Sequence, residues 1–205
     1  MRARLAVLLI AVAASWLPSL AGAQTAVFDF DTDPAGLQAG HGLPLVLTSQ
    51  GVTLRLSSPT PGGFSLQSDV TTGFRLFRFS GLYLYPNTRA TSPLDMAFSR
   101  PVTSIRIMFA TTDLQQMEVP TTLRLTAYAA TTGARVGSSS VHGTFAGDTM
   151  PIGILSLTAD EPFDRLRLEI PEQPHAATGF LVDTIAVTLA PQPTPTPAGG
   201  EDPVP

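Results

Sequence analysis

The 205-residue chain contains neither cysteine nor lysine, and each absence excludes a class of chemistry. Without cysteine there can be no disulfide, thiolate zinc site or thiol nucleophile, so a folded domain must depend on its core or on bound ions. Without lysine there can be no Schiff base, and all twelve cations are arginines. The one tryptophan, Trp16, lies in an N-terminal apolar segment, so phenylalanine and tyrosine supply the aromatic rings of the rest.

Positive charge is scarce and scattered. Twelve arginines face sixteen acidic residues, which gives a formal net charge of −4. A chain of this balance with no basic run is a poor ligand for nucleic acid and is repelled by anionic lipid. The composition therefore predicts neither nucleic acid nor a membrane surface as a partner.

Long hydrophobic runs are also rare, and the longest one is N-terminal. Two arginines, an apolar run over Leu5–Leu17 and a small-residue ending at Ala23 form the layout of a secretory signal peptide, cut before Gln24. The run is too short to be a comfortable membrane span. We therefore expect residues 1–23 to be a signal peptide, the protein to be secreted (extracellular or periplasmic), and no membrane insertion after cleavage.

The region after the predicted signal is rich in short β-type segments. Alternation of apolar and polar residues is clear in Val52–Leu56, Leu123–Tyr128 and Leu166–Ile170, and it is typical of strands with one buried face. Turn residues recur at roughly ten-residue spacing, and no window shows a capped helical stripe. The predicted strands are 25–31, 43–47, 51–57, 74–79, 82–86, 94–99, 102–110, 121–129, 134–141, 152–159, 163–170 and 179–189.

This pattern predicts an all-β, antiparallel β-sandwich or barrel over residues 24–189. Residues 190–205 (APQPTPTPAGGEDPVP) have too few apolar side chains to pack a core, and they favour an extended, disordered Pro/Thr-rich tail.

Several segments together resemble secreted bacterial jelly-roll domains of the galactose-binding-like kind, a group shared with many carbohydrate-binding modules. They are VFDFD, QGVTLRL, SRPVTSIRIMF, LRLTAYAATTGARVGSSS and GFLVDTIAV, which together span most of residues 25–189. The resemblance implies a jelly-roll-like β-sandwich. It also implies a structural calcium between the first and last strands, held by Asp29 or Asp31 together with Asp183.

The residues themselves leave two interpretations of Asp183. The alternation of Leu181–Val187 places its carboxylate on one face with apolar residues, where an unpaired charge would cost several kcal/mol. It then needs a metal ion, an arginine or backbone N–H donors. The alternative to calcium is an aspartate that orders a neighbouring loop, and both interpretations predict that Asp183→Ala destabilises the domain.

A second candidate site lies around Leu82–Tyr85. Tyr83 and Tyr85 alternate with two leucines, so both rings would stand on one sheet face near Asn87 and Arg89. Aromatic faces beside hydrogen-bond donors suit a sugar ring. The alternative is that a loop covers this face.

No string typical of a hydrolase, a nucleotide site or a metalloprotease is present. We therefore predict a non-catalytic binding module with extracellular or cell-surface glycan as its ligand and calcium as a structural ion. Two alternatives stay open: a structural or adhesive protein that binds surface proteins, and a glycan-active hydrolase or lyase on the same scaffold.

Overall fold

The computed structural model describes residues 23–31, 36–87, 92–113, 119–171 and 177–192. The predicted signal peptide, apart from Ala23, and the tail from residue 193 lie outside these ranges. The elements in chain order are β1 Thr25–Phe28, β2 Leu45–Ser49, β3 Val52–Ser57, β4 Phe64–Ser68, α1 Asp69–Thr72, β5 Leu82–Pro86, β6 Leu94–Thr111, β7 Thr122–Ala129, β8 Arg135–His142, β9 Ile152–Glu169 and β10 Phe180–Leu189.

The strands pair antiparallel throughout and form two halves joined by the two 18-residue strands β6 and β9. In the first half, the order is β2-β3-β6-β9-β7-β8, and the start of β6 pairs with the end of β9. In the second half, the end of β6 lies between β10 and the start of β9, while β10 also pairs with β1 and β5. This confirms the predicted all-β, jelly-roll-like antiparallel sandwich.

Prolines mark the places where the two long strands change register. Pro101 lies in the irregular stretch of β6 between Ala97 and Val102, and Pro162 directly precedes Phe163, the partner of Val102. Proline cannot donate a ladder hydrogen bond and is tolerated in a sheet at bulges. The sequence predicted two pairs of separate strands here, and the structure corrects this to two continuous, bulged strands.

The main core is built from the inward-facing residues of both halves. Its largest fully buried side chains include Phe30, Phe64, Phe109, Phe163 and Phe180. A burial of this kind stabilises by about 1.5–3 kcal/mol per large apolar side chain. The apolar residues of the alternating segments are therefore the residues that form this core.

Two further local predictions are wrong. Residues 74–79 were predicted to be a strand but form irregular structure, and β4, which pairs with β5, was not predicted. The structure also contains α1, a single helical turn that ends at Gly73. In the described ranges, no helix has the length and apolar character needed to cross a membrane.

Candidate functional site

An open groove crosses the outer face of the first half. A row of paired residues runs over four strands, from Arg55 on β3 to Ala97 on β6, Arg165 on β9 and Tyr128 on β7. Their inward neighbours belong to the main core, so these side chains point away from it. The groove encloses about 510 Å³, and Arg167 also lines it. We call it the arginine groove, defined by Arg55, Ala97, Tyr128, Arg165 and Arg167.

The small side chain of Ala97 forms the floor of this groove. Arg55 and Arg165 flank Ala97 on the two neighbouring strands. Because neighbouring strands are about 4.8 Å apart, the backbones that carry these two arginines are separated by about 10 Å. The result is an open depression between two guanidinium groups, with the part-exposed ring of Tyr128 beside Arg165.

The groove is cationic in an acidic protein. Its described lining contains three arginines and one carboxylate, that of Asp95. Asp95 is engaged, because Arg167 donates to it through Nε at 3.0 Å and Nη2 at 3.5 Å. Nε of Arg165 lies 3.7 Å from an oxygen of Asp164. Arg55 makes no hydrogen bond or ion pair with any described residue. Two guanidinium groups therefore keep most of their donors for a ligand.

A glycine in the β7–β8 turn allows Arg165 to lie where it does. Gly133 has a φ of +69°, a conformation that favours glycine. A Cβ at this position would come within 2.9 Å of Nη2 of Arg165. The guanidinium group thus rests against the turn, and the turn sets one wall of the groove.

The predicted tyrosine site is covered. Tyr83 is only 2% exposed, and it lies in a second apolar cluster with Leu76, Met150 and Leu181 on the outer face of the second half. The covering segment, residues 69–81, packs over this face. The structure therefore matches the alternative interpretation of the sequence, in which a loop covers the tyrosines.

Both tyrosine rings have partners within the protein. The hydroxyl of Tyr83 lies 2.5 Å from that of Thr72, its ring meets Phe79 edge-on at 5.4 Å, and burial raises the pKa of the phenol. The ring of part-exposed Tyr85 is stacked on Phe74 at 6.2 Å. An exposed sugar-stacking pair is therefore not formed, because residues of the covering segment occupy the ring faces.

The predicted tyrosine site also included Asn87 and Arg89. Asn87 is exposed, but its amide donates to the Gly62 carbonyl at 3.0 Å and its Oδ1 accepts from the Ser65 hydroxyl at 2.8 Å. These bonds fix the β4–β5 hairpin rather than present a free amide. Arg89 lies outside the described residues.

The predicted acidic site, Asp29, Asp31 and Asp183, does come together around the end of the covering segment. The N–H of Ser80 donates to Oδ2 of Asp183 at 3.3 Å, and that of Leu82 donates to Oδ1 of Asp31 at 2.6 Å. Asp31 in turn donates its N–H to the carboxylate of Asp29 at 3.2 Å. The first and last strands and the covering segment therefore meet at three carboxylates.

Asp183 is the buried member of the acidic site. It is 2% exposed, and its Oδ1 has no hydrogen-bond partner among the residues that the structure describes. Burial raises its pKa to about 7, the Ser80 N–H opposes this rise, and the negative charges of Asp31 and Asp29 add to it. The carboxylate is therefore poorly compensated by the protein alone.

The two faces of β10 around Asp183 differ from the sequence prediction. A register shift between Val182 and Ile185 places Leu181 in the outer cluster and Ile185 in the main core, although alternation put them on one face. Such a bulge adds a residue to one strand and re-aims the side chains that follow. It explains how a carboxylate fits into this otherwise apolar strand.

Carboxylate oxygens suit Ca²⁺, and an orphaned buried oxygen is consistent with a cation nearby. In the ranges described, however, no three His, Cys, Asp or Glu side chains are arranged so as to hold a metal ion by themselves. An ion at the acidic site would therefore require backbone carbonyls or water as further ligands. Asp33, the next acid along the chain, lies outside the described residues.

Sequence reasoning missed the arginine groove. The signal was present, since Arg55 and Arg167 occupy outward positions in strands with clear alternation. The sequence could not predict that β3, β6, β9 and β7 lie side by side. Tyr128, the third tyrosine of the chain, lies beside Arg165, whereas Tyr83 and Tyr85 had been predicted to lie near Asn87 and Arg89.

Comparisons with known proteins find structural similarity only. No family profile and no curated protein sequence matches the chain. One similar structure is the catalytic domain of Agl-KA, with 15% identity, a TM-score of 0.44, and coverage of 70% of this chain and 28% of that one.

Two smaller proteins are also similar. CsCBM6-3 from Clostridium stercorarium, solved with cellobiose, has 16% identity, a TM-score of 0.37, and coverage of 65% of this chain and 87% of that one. A family 35 carbohydrate-binding module from Clostridium thermocellum has 13% identity, a TM-score of 0.37, and coverage of 73% and 100%. At these values the similarities assign neither a family nor a function, so a functional proposal must depend on the geometry of the site.

Proposed function

We propose that this protein is a secreted, non-catalytic module that binds extracellular or cell-surface glycan in the arginine groove. The observation that carries the proposal is the open groove of about 510 Å³, in which a tyrosine ring and uncommitted arginines flank a small-residue floor. Arginine forks donate to sugar hydroxyls or carboxylates, and an aromatic face packs on the C–H groups of a sugar ring. A volume of this size suits one or two sugar residues.

The same lining supports a binding rather than a catalytic role. Glycoside hydrolysis commonly uses two carboxylates that flank the scissile bond. The described lining offers only Asp95, and Arg167 holds it in a two-point ion pair. We therefore expect no release of reducing ends when the protein is incubated with a polysaccharide it binds.

Affinity electrophoresis of the full chain against soluble neutral and acidic polysaccharides tests the proposal. We expect at least one polymer to retard the protein, and Tyr128→Ala to weaken this binding about tenfold, as loss of an aromatic contact of about 1.5 kcal/mol would. Tyr85→Ala is the matched control, since its ring is stacked on Phe74. Retardation by no polymer, or loss with Tyr85→Ala alone, would contradict a site in the arginine groove.

We also propose that calcium stabilises the acidic site, with Asp183 and either Asp29 or Asp31 as its carboxylate ligands. The orphaned oxygen of Asp183 supports this, because a bound cation would compensate its charge. When bound, the ion would supply a positive charge between the first and last strands. The melting temperature should then rise with Ca²⁺ and fall with chelator, and Asp183→Asn should abolish the difference. Equal melting in both conditions would refute calcium and leave Asp183 as a loop-ordering residue.

A second candidate function, contact with a surface protein, has one observation in its favour. The outer face of the second half carries a shallow apolar depression lined by Val27, Met108, Ile154 and Ala186. Val27 is 45% exposed. Exposed apolar surface of this kind can mark a protein contact. Crosslinking to surface proteins that Val27→Asp abolishes, with glycan binding absent, would favour this function over the first.

A further inference from the structure

We propose that the ligand of the arginine groove is an anionic glycan, whose carboxylate or sulfate groups bind Arg55 and Arg165. The inference rests on the proposed function of the groove and specifies its ligand class. It depends on three observations: the charge of the lining, the spacing of these two arginines, and the contrast with the net charge of the whole chain.

The charge of the lining is the first observation. Of the described residues, three arginines and a single carboxylate line the groove, and that carboxylate already pairs with Arg167. Among the described residues, Arg55 forms no ion pair, and the ion pair of Arg165 is the 3.7 Å contact with Asp164. A neutral sugar would leave this charge uncompensated, whereas an acidic sugar would pair with it.

The spacing of the two arginines is the second observation. They lie on either side of Ala97, on strands separated by about 10 Å. Each guanidinium group presents a planar fork that matches a carboxylate or sulfate in a two-point contact. Two such forks across a groove suit anions carried at intervals along one polymer.

The third observation is the contrast with the whole chain. The protein carries a formal net charge of −4, so its net charge disfavours the approach of an acidic polymer. Three of only twelve arginines nevertheless meet in one groove. Their concentration would guide an acidic polymer to this face and away from the acidic site.

A single polymer with variable charge provides the sharpest test. De-esterified pectin carries free carboxylates, and highly methyl-esterified pectin has the same backbone with most of them neutralised. We expect the full-length protein to bind the de-esterified form at least about tenfold more tightly at low salt. The difference should collapse at about 1 M salt, where the screening length falls to about 3 Å. A second comparison, of dextran sulfate with neutral dextran, tests whether the groove also binds sulfate groups.

Variants assign the binding to the groove. Arg55→Gln and Arg165→Gln should each weaken binding of the anionic polymer about tenfold, because each removes a charge-assisted contact. Arg106→Gln is the matched control, since Arg106 is also an exposed strand arginine but lies on the outer face of the second half. Thermal melts verify that all three variants fold.

The outcomes separate the two proposals. Equal binding of both pectins with loss in Tyr128→Ala would keep the glycan function and overturn anion selectivity. Binding of the acidic polymer that neither groove variant weakens would also overturn the inference, because the anion would then bind elsewhere. Binding of no polysaccharide, neutral or acidic, would overturn the glycan function together with its ligand class.

Discussion

The replacement Asp183→Asn tests how much of the folding free energy is lost to a buried, poorly compensated carboxylate. The side chain is 2% exposed, and only Ser80 donates a hydrogen bond to it within the described structure. Burial and the neighbouring acids raise its pKa from an ordinary 3.8 to about 7. Asparagine has nearly the same shape and keeps an oxygen for the Ser80 N–H, but it carries no charge.

The sign of the effect follows from linkage. A raised folded-state pKa means that the native protein holds this proton more tightly than the unfolded chain does. The stability it contributes is complete below about pH 4 and is lost as the pH rises to about 7. The folded-state pKa is about three units above the ordinary value, and each unit corresponds to about 1.4 kcal/mol. The free energy of unfolding should therefore be about 4 kcal/mol lower above pH 7 than at about pH 4.

Urea unfolding in the presence of chelator, from about pH 4 to about pH 8, measures this directly. We expect the wild-type free energy of unfolding to fall with pH relative to Asp183→Asn, so that the variant becomes the more stable protein at about pH 8. Asp160→Asn serves as the control, because Asp160 is exposed. Parallel curves for wild type and Asp183→Asn would refute the claim that burial holds this carboxylate near neutrality.

Three further substitutions test individual contacts of the fold, each by chemical denaturation. Tyr83→Phe removes the hydroxyl contact with Thr72 and should cost about 1 kcal/mol, whereas no loss would mean that the hydroxyl is solvated. Asp113→Ala removes three hydrogen bonds between this buried carboxylate and neighbouring threonines, so we expect a loss of about 3 kcal/mol, and a change within about 0.5 kcal/mol would contradict the network. Gly81→Ala should destabilise the protein and weaken any calcium response, because a Cβ there would overlap the Asp31 carboxylate at a φ of +55°; an unchanged variant would show that this carboxylate moves freely.

The arginine groove and the acidic site lie in different halves of the sandwich. The arginine groove lies on the strands of one half, where Arg165 rests against Gly133 and Arg167 pairs with Asp95. The acidic site and the covering segment lie at the second half. Because the two sites occupy different halves of the sandwich, substitutions in one should leave the other intact, and the calcium and glycan experiments can be interpreted independently.

The sequence by itself determined the fold class. Alternation in segments such as Val52–Leu56 and Leu166–Ile170 reports which side chains are buried, because successive residues of a strand point to opposite faces. The acid at position 183 was also identifiable, since a carboxylate among apolar residues needs special compensation wherever the strand lies. These inferences are local, and they needed no knowledge of which strands pair.

Only the tertiary structure decided which outward side chains meet. Arg55, Ala97, Tyr128 and Arg165 form one row because β3, β6, β9 and β7 are neighbours in space, and pairing between distant segments leaves no mark on any one of them. The burial of Tyr83 likewise depends on where residues 69–81 pack, and the face of Leu181 depends on a bulge. Alternation gives each strand two faces, but long-range packing decides which of them solvent and ligand can reach.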